Sequence, residues 1–274
     1  PPAEPTPLPP GALSVAFRTV RFAYPSATEV SLASLEEVAV LDERGGTEVL
    51  HGIDVEVPAG RTVALVGSSG AGKSTIASLV PRLYDVTGGA VELGGVDVRE
   101  LSFEDLQSAV GMVTQDGHLF HESIRDNLLI AKPGATDDEL RSAVHRARLD
   151  TVLANLPDGL DTVIGERGYR LSGGERQRLT IARLLLASPP VVILDEATSA
   201  LDSTNEAAIQ QALGEAMEGR TALVIAHRLS TIKAADEILV IEDGLIAERG
   251  GHADLLALGG RYAELYRTQF SQDR

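Results

Sequence analysis

The 274-residue sequence predicts an α/β fold, a sheet of buried parallel strands carrying a helical insertion, and three observations lead there. Thr62 to Val66, Val191 to Leu194, Thr221 to Ala226 and Ile238 to Ile241 are short continuous apolar runs, the pattern of strands covered on both faces. Helical stretches separate the later runs, and this alternation builds parallel sheets. Residues 116 to 187 are mostly helical by period, with breaks near Pro133-Gly134, Pro157-Asp158-Gly159 and Gly165 to Gly168.

Composition narrows the chemistry. Aromatic residues make up only 4% of a chain that is 43% hydrophobic, so the core is aliphatic. Lys plus Arg total 24 against 40 Asp plus Glu, a net charge of −16, which argues against a general electrostatic grip on nucleic acid or an anionic membrane. Any phosphate must then be held by a local site. With no cysteine, disulfides, thiolate nucleophiles and Cys-ligated metals are excluded. No segment approaches the ~20 consecutive apolar residues of a membrane-spanning helix, and no signal peptide opens the chain, so the domain as given reads as soluble.

In chain order, residues 1–12 hold six prolines in the first ten positions and read as a stiff extended linker, either a tether to something upstream or a frayed terminus. Leu13 to Phe22 and Val49 to Val57 alternate apolar and polar residues, as strands do. Between them, Ser34-Leu35-Glu36-Glu37 fits a capping box and predicts a short helix over 34–41. Gly88 to Val98 reads as a hairpin around Gly94-Gly95.

The buried run 62–66 leads into Gly67-Ser68-Ser69-Gly70-Ala71-Gly72-Lys73-Ser74-Thr75 and then an apolar helical stretch. This is Gly-x4-Gly-Lys-Ser in the strand-loop-helix context the motif requires. Glycines let backbone N–H groups turn inward around a phosphate oxygen. Lys73, one of three lysines, is placed to neutralise β- and γ-phosphate charge, and the Ser74 hydroxyl to ligate Mg²⁺. A nucleoside triphosphate is the indicated ligand. Downstream, Val191-Val192-Ile193-Leu194 ends in Asp195-Glu196; two carboxylates at a buried strand end are costly unless a cation or a proton transfer uses them. Asp195 suits the magnesium shell and Glu196 the water that attacks the γ-phosphate. Leu171-Ser172-Gly173-Gly174-Glu175 starts a helix to Ala187; Ser172 and Glu175 fit a capping box, yet glycine in a helical turn costs up to about 1 kcal/mol, and two in succession call for a reason such as close approach to a ligand.

Together with Ser199-Ala200-Leu201-Asp202 and His227, these motifs resemble, in order and over residues 13 to 268, the nucleotide-binding domain of ABC transporters. The resemblance implies the ABC ATPase fold: a RecA-like P-loop core, an antiparallel β subdomain from the first sixty residues and the 88–98 hairpin, and an α-helical subdomain over about 116–187. It implies ATP and Mg²⁺ as ligands. By position, Tyr24 matches the aromatic residue that stacks on adenine, Gln115 the glutamine that reaches the magnesium, His227 the residue contacting the γ-phosphate, and Asp202 the loop that communicates between opposed sites. Ser172, Gly173 and Gly174 match the turn that contacts nucleotide held by a second domain, arranged head to tail.

Gly165-Glu166-Arg167-Gly168 resembles a segment typical of exporters, whose glutamate contacts the transmembrane domain. The implied setting is the cytoplasmic face of a membrane. Two other readings stand beside it: a soluble ABC-type ATPase working on nucleic acid or ribosomes, and a binding-only regulatory half of an unequal pair. Two departures from the family pattern are the surplus at about 26–47 and His121, where small polar residues are more usual.

Overall fold

The computed structural model of the protein describes residues 2–25, 46–114, 118–165, 169–195 and 203–270. The helix expected over 34–41 and nearly all of the 26–47 surplus lie outside the described residues.

Two sheets stack around an aliphatic interior. The larger has the order β10-β9-β3-β8-β7-β6, from β3 (Thr62–Val66), β6 (Val110–Val113), β7 (Val191–Asp195), β8 (Thr221–Ile225), β9 (Glu237–Glu242) and β10 (Leu245–Gly250). The four pairings from β9 to β6 are all parallel, and only β10 runs antiparallel, against β9. Side chains of β3 alternate between two cores: Val63 and Leu65 join one cluster, Ala64 and Val66 the other. That is the physical origin of the uninterrupted apolar run, since neither face meets water.

The smaller sheet is antiparallel, in the order β2-β1-β4-β5, from β1 (Val15–Ala23), β2 (Glu48–Val57), β4 (Gly88–Leu93) and β5 (Val96–Asp97). Phe17, Val20, Phe22, Leu50, Ile53 and Val55 from its inner face pack with Leu223, Ile225 and Leu239 of the larger sheet. The 88–98 hairpin is present as expected. The proline-rich start is packed against it: a Cβ on Gly94 would lie 2.7 Å from Pro9 Cγ, and Thr6 N donates to Glu100 O, just past the hairpin, at 2.8 Å.

Helices Ile124–Leu129, Asp137–Arg146, Asp150–Asn155 and Gly173–Ala187 fill the predicted helical region, and the breaks fall at Pro133-Gly134 and Pro157–Gly159. The last helix packs on β6 so closely that a Cβ at Gly111 would lie 2.1 Å from Leu184 Cδ1. Among the described residues no helix is long and apolar enough to cross a membrane.

Candidate active site

Parallel strands that share a direction share a C-terminal edge, where open α/β sheets bind ligands. Here β3 ends at Val66 and delivers Gly67; β8, its neighbour, ends at Ile225 two residues before His227; β7, next again, ends at Asp195, paired in register with Ile225. The sheet thus gathers three motifs separated by up to 160 residues of chain. Gln115, Glu166, Glu196 and Asp202 lie outside the described residues.

The phosphate loop is built to keep its backbone bare. Gly67 has φ +154°, and a Cβ there would sit 2.2 Å from Ile241 O, so only glycine fits. Ala71 N donates to Ser68 O at 3.3 Å, and Ile76 N to Gly72 O at 2.9 Å where the helix Lys73–Leu79 begins. Ser68, Ser69, Gly70 and Ser74 are exposed, whereas Ala71, Gly72, Lys73 and Thr75 are buried. The Lys73 ammonium folds back across the loop and donates to Gly67 O at 2.9 Å and Ser68 O at 2.7 Å. Burial pushes its pKa down, opposed by the pull of Asp195. A desolvated cation resting on two neutral carbonyls in a glycine cradle fits a polyphosphate, whose charge would replace the water it has lost.

Asp195 and His227 face each other, with Nε2 and Oδ1 3.9 Å apart. Asp195 and the exposed Ser74 hydroxyl are the oxygen donors suited to Mg²⁺. Tyr24, at the end of β1, donates to or accepts from Thr75 Oγ1 at 2.9 Å, which ties its ring to the loop helix. Its ring meets Phe22 and Tyr84 edge to face, with centroids 4.9 and 5.3 Å away.

The Ser172 turn has the capping box read from sequence: Glu175 N donates to Ser172 Oγ at 3.3 Å, and Ser172 N donates to Glu175 Oε2 at 2.7 Å. Gly173 is exposed, and a Cβ there would meet nothing nearer than Arg176 Nη2 at 3.9 Å. Nothing described in this chain requires glycine at that position.

Sequence reasoning passed over Asp243-Gly244. These residues, at φ 46° and 71°, form the turn between β9 and β10. Gly244 N donates to Ala71 O at 3.1 Å and His51 N to Gly244 O at 3.0 Å, so the turn braces the phosphate loop against β2. The Asp-Gly pair between apolar strands was the available signal.

His121 also finds a role. Its Nδ1 lies 3.0 Å from Ile164 O, and the ring fills the space a Cβ on Gly165 would need, 2.5 Å from Nδ1. Ile164 N donates to Glu122 O and Tyr169 N to Val163 O, so His121 staples a small strand pair that leads into residues 166–168. His121→Ala is expected to lower hydrogen-exchange protection of the Ile164 and Tyr169 amides about fivefold, the worth of one hydrogen bond near 1 kcal/mol. Unchanged protection would remove the staple.

A glycine cradle after a buried strand, with a cation held inside it and a carboxylate ending a strand two places along the sheet, defines a P-loop nucleoside triphosphatase. A family model described as ABC transporter matches residues 50–199. The chain is 50% identical over 224 residues to an uncharacterized ABC transporter ATP-binding protein, YwjA, of Bacillus subtilis, covering 82% of this chain and 39% of that protein. It is 49% identical over 257 residues to the ATP-dependent lipid A-core flippase of Pectobacterium atrosepticum, covering 93% of this chain and 41% of the flippase. A bacterial Atm1-family ABC exporter solved with ATP bound aligns at a TM-score of 0.83 and 41% identity, over 98% of this chain and 44% of that one. The chain belongs to the ABC transporter family and has the ABC ATPase fold. It spans about two-fifths of the length of the curated relatives it matches, at 39% and 41%.

Proposed function

We propose that this chain binds MgATP between the 67–75 loop and the Ser172 turn of a second nucleotide-binding domain, head to tail, and that hydrolysis parts the pair and powers export by attached transmembrane helices. The observation that carries this reading is the division of labour between two surfaces. One holds a buried ammonium in a bare-backbone cradle; the other is a rigidly capped helix start whose Gly173 is open on its outer side.

Within one site, backbone N–H groups of the 67–73 loop bind phosphate oxygens, and Lys73 balances charge at the β- and γ-phosphates. Ser74, Asp195 and Gln115 would hold Mg²⁺, which would supply further neutralisation of phosphate charge. Glu196 orients the attacking water and accepts its proton, while His227, set against Asp195, contacts the γ-phosphate. Tyr24 offers its ring to adenine, with its hydroxyl fixed on Thr75. Asp202 stands at the loop that passes information to the opposed site, and Glu166 at the contact with the transmembrane domain. The working location is the cytoplasmic face of a membrane, with no nucleic-acid partner, in keeping with the net charge of −16.

Two measurements test this. Turnover per molecule should rise with protein concentration, since two domains build each site; a flat dependence would count against sharing. Glu196→Gln should slow hydrolysis by about a hundredfold or more, the usual share of a general base, while calorimetry shows MgATP affinity retained. Equal loss of binding would assign Glu196 to the ligand pocket rather than to the water.

A further inference from the structure

The helix Gly173–Ala187 begins at the turn presented to the second domain and, three turns later, carries Arg183. Arg183 Nε donates to Asn127 O at 2.7 Å, Nη1 to His118 O at 2.7 Å, and Nη2 to Asn127 Oδ1. Its guanidinium also lies 5.7 Å from the centre of the Phe120 ring. Asn127 is fully buried and satisfied on every side: Oδ1 also accepts from Phe120 N at 2.9 Å, and Nδ2 donates to Phe120 O at 3.0 Å and Ser123 O at 2.9 Å.

Among the described residues Arg183 has no carboxylate partner, so this is a half-buried cation spent on carbonyl oxygens. Burial lowers its pKa, the mark of a charge that lacks an anionic partner. One acceptor, Asn127 O, is among the last carbonyls of the short helix Ile124–Leu129, where a cation is favoured. A guanidinium fork reaches three acceptors on two segments at once, which an ammonium cannot. One residue on, Leu184 presses on Gly111 of β6. The same helical turn therefore grips the chain on both sides of Gln115: at Gly111 before it and at His118 after it.

We propose that Arg183 and Asn127 are positioning residues that fasten the Ser172 helix to the segment following Gln115, so that a rearrangement at one nucleotide site is delivered to the turn serving the other. The inference rests on the shared-site reading above. Both side chains spend their polar atoms on groups of this chain itself.

The test compares the 274-residue chain carrying Glu196→Gln with the same chain also carrying Arg183→Met or Arg183→Lys. Calorimetry reads MgATP affinity at low protein concentration, and sedimentation reads ATP-driven pairing. Affinity is expected to stay within about twofold, while pairing weakens about tenfold for Arg183→Met and about threefold for Arg183→Lys, the range of coupling changes away from a ligand. In the Glu196 chain, the Hill coefficient for ATP should fall toward one. Pairing equal to the parent, or affinity and pairing falling together with the melting temperature, would overturn the proposal. If circular dichroism shows Arg183→Met unfolded, the Arg183→Lys comparison decides on the same criteria. If the Glu196→Gln parent itself does not pair with MgATP, the shared site fails in that arm alone and takes the fastening role with it.

Discussion

Lys73→Met is expected to raise the dissociation constant for MgATP by about a thousandfold and to abolish measurable hydrolysis. One ammonium–phosphate pair at ~4 Å, in the intermediate dielectric of a partly buried site, is worth about 4 kcal/mol, or three decades of affinity. The same change should leave the empty chain as stable as before, or more so. Burial holds the Lys73 pKa below its usual 10.5, so folding disfavours the charged form. That cost is fully present below the folded-state pKa and fades as pH climbs toward 10.5. Methionine keeps the length of the stem and removes the charge. Thermal melts at neutral pH should therefore show equal or higher stability for the variant without nucleotide, and a large MgATP-induced rise only for the parent, about 2.7 kcal/mol at a hundredfold excess over the parent dissociation constant. A variant that MgATP stabilises as well as it does the parent would show that Lys73 is structural.

How legible all this is from sequence depends on how far apart the cooperating residues lie. The strands at 62–66, 191–195 and 221–225 stand out because both faces are buried, which leaves an uninterrupted apolar run. β10 carries no such mark: Leu245 to Gly250 sit at the sheet edge with every side chain at least partly exposed, so its residues read as surface. The phosphate loop is contiguous and its chemistry can be read from spacing alone. Its brace cannot: Asp243-Gly244 marks a turn, but 173 positions separate Gly244 from Ala71, and the backbone hydrogen bond between them leaves no trace in either side chain. Arg183 and Asn127 are 56 residues apart, and each alone looks like an ordinary polar residue on a helix. In the sequence His121 is a departure without a purpose; only the position of Gly165 beside it gives it one. The shared site lies a step further off, because half of it belongs to another domain and the resemblance, not the spacing, points to it.

Gly173 offers the sharpest test of that shared site, since effects on folding and on function should part company there. Within its own chain the position is open, and its backbone is that of a helix start, so Gly173→Ala should stabilise the isolated domain by up to about 1 kcal/mol. Gly173→Asp should also be tolerated, because a carboxylate in the first turn of a helix is favoured by ~0.3–1 kcal/mol. Against a triphosphate held by the opposite domain, however, that carboxylate is a like charge. At ~4 Å it costs about 4 kcal/mol per site, and a pair has two sites, so pairing should weaken by about a millionfold and turnover by at least about a thousandfold. MgATP affinity of the unpaired chain should not change, because the loop at 67–75 is untouched. Sedimentation with and without MgATP, beside calorimetry and a melt, reads all three quantities on one preparation. Should Gly173→Asp pair and turn over like its parent, the turn faces nothing but water, and each chain must hydrolyse ATP alone.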